Sequence, residues 1–349
     1  MTQPFPAHSP TVVDLLPKAE LHLHLEGAIR PGTCVELAAR HGAEISLEKV
    51  AARYQFTDFA GFIETFKWVT SLLRDPEDYA VITRNLLEDL VRQNVVYAEI
   101  TVSAGVMLLR NQSIEANFAA IHEAAQSVRY SRVRTAWILD CVRQFGADPA
   151  MQVARAAVQL QNAGVVAFGM GGDELSVAAA NFRSAFDFAR AQGLRLVCHA
   201  GEIGGPESVR EAVEILSAER IGHGIAIMHD PALAESLAAG RIVLENCLTS
   251  NLATGALAKQ TGNPRATLAE HPLKKLLNAG SLITLSTDDP GMFSTDLLTE
   301  YSRAASLGLS PQQLLSLAEQ SFAAAFLPPI DKRSYLEIFR AAAKSAALL

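Results

Sequence analysis

Short β-branched and apolar runs alternate along the chain with longer segments whose apolar positions recur every three to four residues. That alternation predicts repeated βα units and a parallel sheet. Strand-type runs fall at Ala19–Leu25, Val95–Val102, Val133–Leu139 and Val165–Met170, then at Leu194–His199, Arg220–His223, Ile242–Asn246 and Ser281–Ser286. Eight is the number a closed (β/α)8 barrel requires. Between them the helical pattern is legible. In Ala178–Gln192, Phe182, Phe186 and Ala189 share one helix face, and Pro206–Ser217 opens on a helix-initiating proline. Gly193 and Gly280 stand just before strands, where a left-handed helix stop suits glycine.

One connection breaks the rhythm. Roughly seventy residues separate the first two strands, more than a helix and two loops consume. This insertion, within about residues 27–94, carries Phe56, Phe59, Phe62, Phe66 and Trp68. Because it follows a strand, it emerges at the C-terminal rim of a barrel, where active sites lie. The aromatics fit either the core of extra helices or a partly apolar lid. No internal repeat or linker divides the chain, so residues 1–349 read as one α/β barrel domain, a TIM barrel with a helical insertion after strand one.

Composition changes the picture only by exclusion. The formal net charge of -7 disfavours a nucleic-acid polymer as partner but not a single nucleoside. Cys34, Cys141, Cys198 and Cys247 are far apart, without a C-x-x-C pair, and read as reduced buried thiols. No run approaches the roughly 18–20 apolar residues of a membrane helix, and Met1–Pro10 lacks the pattern of a signal peptide. The expectation is a soluble cytoplasmic protein with no membrane association; its oligomeric state is left open.

The chemistry-bearing residues sit at strand ends. In Glu20-Leu21-His22-Leu23-His24-Leu25-Glu26-Gly27, period-two alternation turns His22 and His24 to one face, a pair suited to a divalent ion such as zinc. Cys198-His199-Ala200-Gly201-Glu202 closes the fifth strand, adding a third imidazole and a carboxylate able to shuttle a proton. Gly222-His223-Gly224 closes the sixth, with glycines that permit close approach. Thr287-Asp288-Asp289-Pro290 closes the eighth; adjacent aspartates there are expected on different faces, one toward a metal and one toward substrate. The other histidines, His8, His41, His122, His229 and His271, show no such placement and read as structural or solvent-facing.

These motifs together resemble the adenosine deaminase family over nearly the full length. The matching segments run from Pro17-Lys18-Ala19-Glu20-Leu21-His22-Leu23-His24 through Gly172-Asp173-Glu174, His199-Ala200-Gly201-Glu202 and Ile221-Gly222-His223-Gly224. They continue with Thr249-Ser250-Asn251, Thr254-Gly255, His271-Pro272 and Ser286-Thr287-Asp288-Asp289-Pro290. The resemblance implies zinc-dependent hydrolytic deamination of a 6-aminopurine nucleoside to the 6-oxopurine and ammonia, with one Zn2+ per chain. It implies His22, His24, His199 and Asp288 as zinc ligands, Glu202 as proton donor to purine N1, and His223 as the group that orients the attacking hydroxide. Asp289 would meet N7 and the Gly172 N–H would meet N3. Adenosine deaminases usually carry Asp where this chain has Glu26. Glutamate there is seen in relatives that use adenine or a modified nucleoside, and the longer side chain suits an altered 5′ position, as in 6-aminodeoxyfutalosine. The Gly172 and His223 motifs look more like the nucleoside branch than the free-base branch.

Two other readings are weaker. A binuclear metallohydrolase would often carry a lysine near the end of strand four, where Phe168-Gly169-Met170-Gly171-Gly172 has none. A binding protein that had lost catalysis would lack a ligand or the proton shuttle, and a cytidine-deaminase zinc site needs a Pro-Cys-x-x-Cys motif.

Overall fold

The computed structural model describes residues 8–346; residues 1–7, on which part of the signal-peptide reading falls, lie outside the described residues. Eight parallel strands pair in sequence order: β1 (Lys18–His24), β2 (Val95–Val102), β3 (Arg134–Val142), β4 (Val165–Gly171), β5 (Arg195–Ala200), β6 (Arg220–His223), β7 (Val243–Asn246) and β8 (Leu282–Leu285). The seam between β8 and β1 is closed beyond β8 itself. Asp288 donates its N–H to the His22 carbonyl (3.0 Å) and accepts from His24 N–H (2.8 Å). The barrel is therefore stitched shut at the residues expected to bind metal.

The strand ends differ from the sequence reading by a few residues. The third strand runs on to Val142 and the eighth stops at Leu285, because strand pairing continues past the apolar run in one case and ends short of it in the other. The Ala178–Gln192 segment splits into a 3-10 turn (Ala179–Phe182) and a helix (Arg183–Ala191), with Phe182, Phe186 and Ala189 all buried. Gly193 and Gly280 both take φ of 89°, the left-handed stop the sequence asked for.

The insertion after β1 forms α1 (Pro31–Arg40), α2 (Leu47–Arg53), α3 (Phe59–Thr70) and α4 (Pro76–Arg92). Its helix starts are locally encoded. Asp58 accepts from the Gly61 N–H (2.8 Å), and Asp75 with Asp78 forms a reciprocal capping box in front of Pro76. On α3 the spacing of Phe59, Phe62, Ile63 and Phe66 puts them on one face over the barrel mouth. Phe56 instead packs edge-on against Phe62 and Phe293, and Trp68 lies beneath the Arg53 guanidinium. Phe59, Phe62 and Phe66 thus border the cavity, and Phe62 also packs within the insertion. After β2 a short helix, α5 (Ala104–Leu109), ends at Arg110 and adds Val106 and Leu109 to the same wall.

Below the mouth the barrel interior is charged. Arg220 of β6 pairs with Glu99 of β2 and with Glu245 of β7 (2.6 Å), and its guanidinium lies 3.7 Å above the Phe326 ring. Buried charges on this scale hold only when mutually compensated. The charge compensation ends on the metal pole, since Glu245 also accepts from His22. All four cysteines are buried and free.

Candidate active site

His22 and His24 leave β1 with ring centroids 5.3 Å apart, and His199 from β5 stands 4.6 Å from the His22 ring. Asp288 completes the group: its Oδ1 lies 3.3 Å from both His22 Nε2 and His24 Nε2. His24 Nε2 is also 3.2 Å from His199 Nε2. One donor atom each from His22, His199, His223 and Asp288 lies within 4.8 Å of the others. This is a buried metal-binding group.

Neighbouring groups fix which nitrogen His22 and His199 offer. His22 Nδ1 meets Glu245 Oε2 at 2.8 Å, and His199 Nδ1 meets the Met170 carbonyl at 3.1 Å. Both acceptors demand N–H at Nδ1, which leaves the Nε2 lone pairs free to ligate. His22 Nε2 is buried with no hydrogen-bond partner. Asp288 spends Oδ2 on the Ser250 hydroxyl (2.7 Å), leaving Oδ1. Although burial opposes it, the Asp288 and Glu245 carboxylates carry His22 up to about 10, which marks this point as one that calls for positive charge. Three imidazoles and one carboxylate with their lone pairs converging fit zinc.

His223 is held differently. The Leu273 backbone N–H donates to His271 Nδ1 (3.2 Å), so His271 carries its hydrogen on Nε2 and donates to Asn251 Oδ1 (3.1 Å). Asn251 then donates from Nδ2 to His223 Nδ1 (3.1 Å). Starting from a backbone donor, the chain has only one polarity, and it leaves N–H on His223 Nε2. That N–H faces Glu202 Oε2 at 3.6 Å and Asp288 Oδ2 at 3.8 Å. Burial pushes His223 down to about 4 and His271 down to about 3, so both are neutral at pH 7. His271 had read as structural or solvent-facing; it is 5% exposed and belongs to this relay. The only sequence signal for it was the His271-Pro272 motif.

Backbone conformation aims these groups. His223, the last residue of β6, and Asp288, three residues past β8, take φ of 64° and 66°, a left-handed conformation uncommon for residues with a Cβ and frequent where function demands strain. The reversal at Asp288 cancels strand alternation. Asp288 and Asp289 therefore border the same cavity, contrary to the expectation of separate faces, because β8 has already ended at Leu285. Gly222 is required by close approach: a Cβ there would lie 2.5 Å from His22 Cε1. Gly172 turns with φ of 96°, and a Cβ would meet Gln144 Oε1 at 2.3 Å.

Glu202 sits two residues past β5 and is buried at 6% exposure. Burial first, then Asp288 and Glu174, pushes its carboxyl well above the usual range. Asp289 rises well above that range too, by burial and the neighbouring Asp288 charge, and its Oδ1 is buried without a partner. Glu174, quoted in a motif but given no role, proves to be the clamp on the Glu202 loop. It accepts the N–H groups of Gly201, Glu202 (3.2 Å), Ile203 (2.8 Å) and Gly204 (2.7 Å), and the Ser208 hydroxyl. Glu300 clamps the loop after β7 in the same way, through Leu248 N–H (2.8 Å) and Thr249. Glu245 and Asp140 were also missed. A charged residue inside an apolar strand was the available signal for each.

All nine site residues taken from the sequence lie on this pole, and eight of them converge. His24, Gly172, His199, Glu202, His223, Asp288 and Asp289 line one cavity, with His22 in contact behind them. Glu26 stands apart. Its carboxylate turns away to accept the Ser103 N–H (3.1 and 3.2 Å), it is 1% exposed, and burial lifts it to about 7. Ser103, not Glu26, reaches the cavity.

An eight-stranded parallel barrel with three histidines and an aspartate buried together at its C-terminal ends defines a metal-dependent hydrolase of the amidohydrolase type. The adenosine deaminase family pattern matches residues 17–341, and the chain belongs to that family. It is 42% identical over 325 residues to an aminodeoxyfutalosine deaminase of Streptomyces avermitilis, covering 91% of this chain and 88% of that protein. It is 34% identical over 321 residues to an adenine deaminase of Agrobacterium fabrum, covering 91% and 96%. A crystal structure of a Burkholderia ambifaria amidohydrolase with bound zinc superposes with a TM-score of 0.85 at 26% identity, covering 98% of each chain.

Proposed function

We propose that this enzyme removes the 6-amino group of a 5′-modified adenosine-like nucleoside of the 6-aminodeoxyfutalosine kind, yielding the 6-oxopurine and ammonia. One observation carries the choice of substrate: 42% identity to an aminodeoxyfutalosine deaminase, against 34% to the adenine deaminase. The sequence left adenosine and its 5′-modified relatives side by side; the relatives favour the latter. The lining agrees, since the outer wall of the cavity is aromatic and aliphatic, which suits an apolar 5′ substituent. Free adenine is the second reading, favoured by the likeness to adenine deaminases.

The metal in this reading is zinc, held by His22, His24, His199 and Asp288. His223 is excluded as a ligand because its Nε2 carries hydrogen. Bound there, zinc would supply a Lewis acid, lowering the pKa of a water to about 7 so that it is a nucleophile near neutral pH.

The remaining chemistry belongs to the chain. Glu202, kept neutral by burial, gives its proton to N1, so that electron density drains into the ring as the C6–O bond forms. It recovers a proton from the C6 hydroxyl as the C6–N bond breaks, and the second water proton leaves with ammonia. His223 donates from Nε2 toward the attacking oxygen and cannot serve as base, because Asn251 occupies its other nitrogen. Asp289 also needs to be neutral, since N7 can only accept a hydrogen bond; burial beside Asp288 keeps it so. Gly172 offers its N–H to N3, and Glu26 acts one layer back by fixing Ser103 at the cavity edge.

Deamination by zinc-loaded protein is measured by loss of 6-aminopurine absorbance with 6-aminodeoxyfutalosine, adenosine, 2′-deoxyadenosine, 5′-methylthioadenosine and adenine. The expected result is the highest kcat/KM for 6-aminodeoxyfutalosine. A clear preference for adenine would overturn the nucleoside assignment, and no turnover with metal bound would overturn the deaminase reading.

A further inference from the structure

Beside Gly172 the cavity carries a donor that no protein group uses. Gln144 follows β3 in the 3-10 turn Arg143–Phe145, is partly buried, and lines the cavity with Gly172 and Glu202. The Asp173 backbone N–H donates to its side-chain oxygen at 2.8 Å. A backbone N–H can only donate, so the carboxamide has one orientation: Oε1 on the loop after β4, and Nε2 with both hydrogens on the other side. Nε2 has no hydrogen-bond partner among the described residues. The oxygen lies so close to Gly172 that a Cβ there would collide with it, which sets the amide against the residue assigned to N3. The other polar side chains on this flank are committed or aimed elsewhere. Glu26 takes the Ser103 N–H and holds the Ser103 hydroxyl as well. Asp140 accepts from the Gly171 N–H and turns Oδ1 down the barrel toward Gly169. Arg110 is bonded to Thr70, and Lys67 to Glu64.

We propose that Gln144 determines specificity at the sugar, donating from Nε2 to the 2′-hydroxyl oxygen of a ribonucleoside, an inference that rests on the deaminase reading above. The chemistry of the nucleoside selects the partner. In the anti conformer N3 and the 2′-oxygen share one edge of the molecule, while C8 faces the 5′ side. A donor seated against Gly172, with N3 on the Gly172 N–H, therefore meets the 2′-oxygen. A 2′-deoxynucleoside leaves Nε2 facing a C–H under the bound sugar, so the donor goes unpaired. Because Glu26 has withdrawn behind Ser103, the sugar is read from the ends of β3 and β4 and not from the end of β1. The same amide braces the loop after β4, so one side chain sets both the sugar contact and the neighbourhood of Gly172.

The test uses 5′-methylthioadenosine and its 2′-deoxy and 2′-deoxy-2′-fluoro counterparts. Zinc-loaded wild type, Gln144→Met and Gln144→Glu are assayed for kcat/KM, and the three 6-oxopurine products are titrated by calorimetry. Wild type is expected to prefer the 2′-hydroxyl over the 2′-deoxy compound by roughly 3- to 10-fold, the range of a neutral hydrogen bond. Gln144→Met should erase that preference. Gln144→Glu keeps an acceptor for the Asp173 N–H and removes the donors, so the fluoro compound, which can only accept, should fall below the deoxy one. The proposal is overturned if wild type does not distinguish hydroxyl from deoxy, or if Gln144→Met keeps the preference. It is overturned too if Gln144→Met lowers all three substrates equally, which would make Gln144 only a brace for the loop. A Gln144→Glu enzyme that favours fluoro over deoxy overturns the donor assignment. Absence of turnover with a 2′-hydroxyl preference in the titrations removes the deaminase reading and leaves Gln144 at the sugar; turnover with no such preference does the reverse.

Discussion

The floor and the wall of the cavity are built on opposite plans. The floor is a set of strand ends in which the histidines and Asp288 are steadied by neighbours: Glu245 on His22, Met170 on His199, Ser250 on Asp288, and Asn251 with His271 on His223. The wall, from α3 and α5, is held by apolar packing and a few bonds such as Arg110 to Thr70. A floor of this kind fixes protonation and orientation, as a single reaction requires. A wall of packed rings fixes size and shape, which is what can vary while the reaction stays the same. The difference locates chemistry in the barrel and substrate choice in the insertion.

Perturbing the floor should cost turnover, in descending order. Glu202→Gln, which keeps the shape and removes the proton, is expected to lower kcat by about 10²- to 10⁴-fold with metal content unchanged. Steady-state kinetics beside metal analysis measure both. Glu174→Gln releases backbone N–H groups that hold the Glu202 loop. A displacement near 1 Å is enough for roughly 10²-fold in rate. Its thermal unfolding midpoint should fall as well, since leaving a buried donor unpaired costs about 1–3 kcal/mol.

His271→Leu breaks the relay that sets the His223 tautomer, and roughly a tenfold loss of kcat is expected, the lower end for groups that orient an active-site histidine. The same variant has a signature in stability. Folded His271 is pushed down to about 3 from its ordinary 6.5, so between those values the unfolded chain binds the extra proton. Its contribution to stability is complete above pH 6.5 and falls as pH drops, by about 1.4 kcal/mol per pH unit. Urea unfolding of wild type from pH 7 to 5 should therefore show a steeper decline than His271→Leu. Equal slopes would remove His271 from the buried neutral set.

The wall should respond in KM. Phe66→Ala deletes apolar contact at the mouth, and about a tenfold rise in KM is expected for a substrate with an apolar arm, with little change in kcat. Adenosine, which lacks the arm, should register less.

The sequence carried the floor far better than the wall. His22, His24, His199 and Asp288 were legible because ligand types recur at the ends of three strand runs, and period-two alternation says where a side chain points. Alternation failed at Asp288–Asp289, since a left-handed residue after the strand is a backbone choice that no pattern of side chains announces. The relay through Asn251 and His271 was legible only as quoted motifs, because its meaning lies in hydrogen-bond polarity across three separate loops. Glu26 was expected at the substrate and stands behind Ser103 instead. Its residue type was visible, but the competing backbone N–H at the end of β2 was not. In the insertion the aromatic residues were visible, but which of them face the cavity was not, and Arg110 lies on another segment and joins them only through the fold.

The division between floor and wall is tested most directly by one ratio: kcat/KM for 6-aminodeoxyfutalosine over that for adenine, on zinc-loaded wild type and on a Phe59→Ala/Phe66→Ala variant. The account predicts a large ratio in wild type that collapses toward unity in the variant, with adenine turnover nearly preserved. A ratio that survives removal of both rings, or one that favours adenine from the outset, would contradict it.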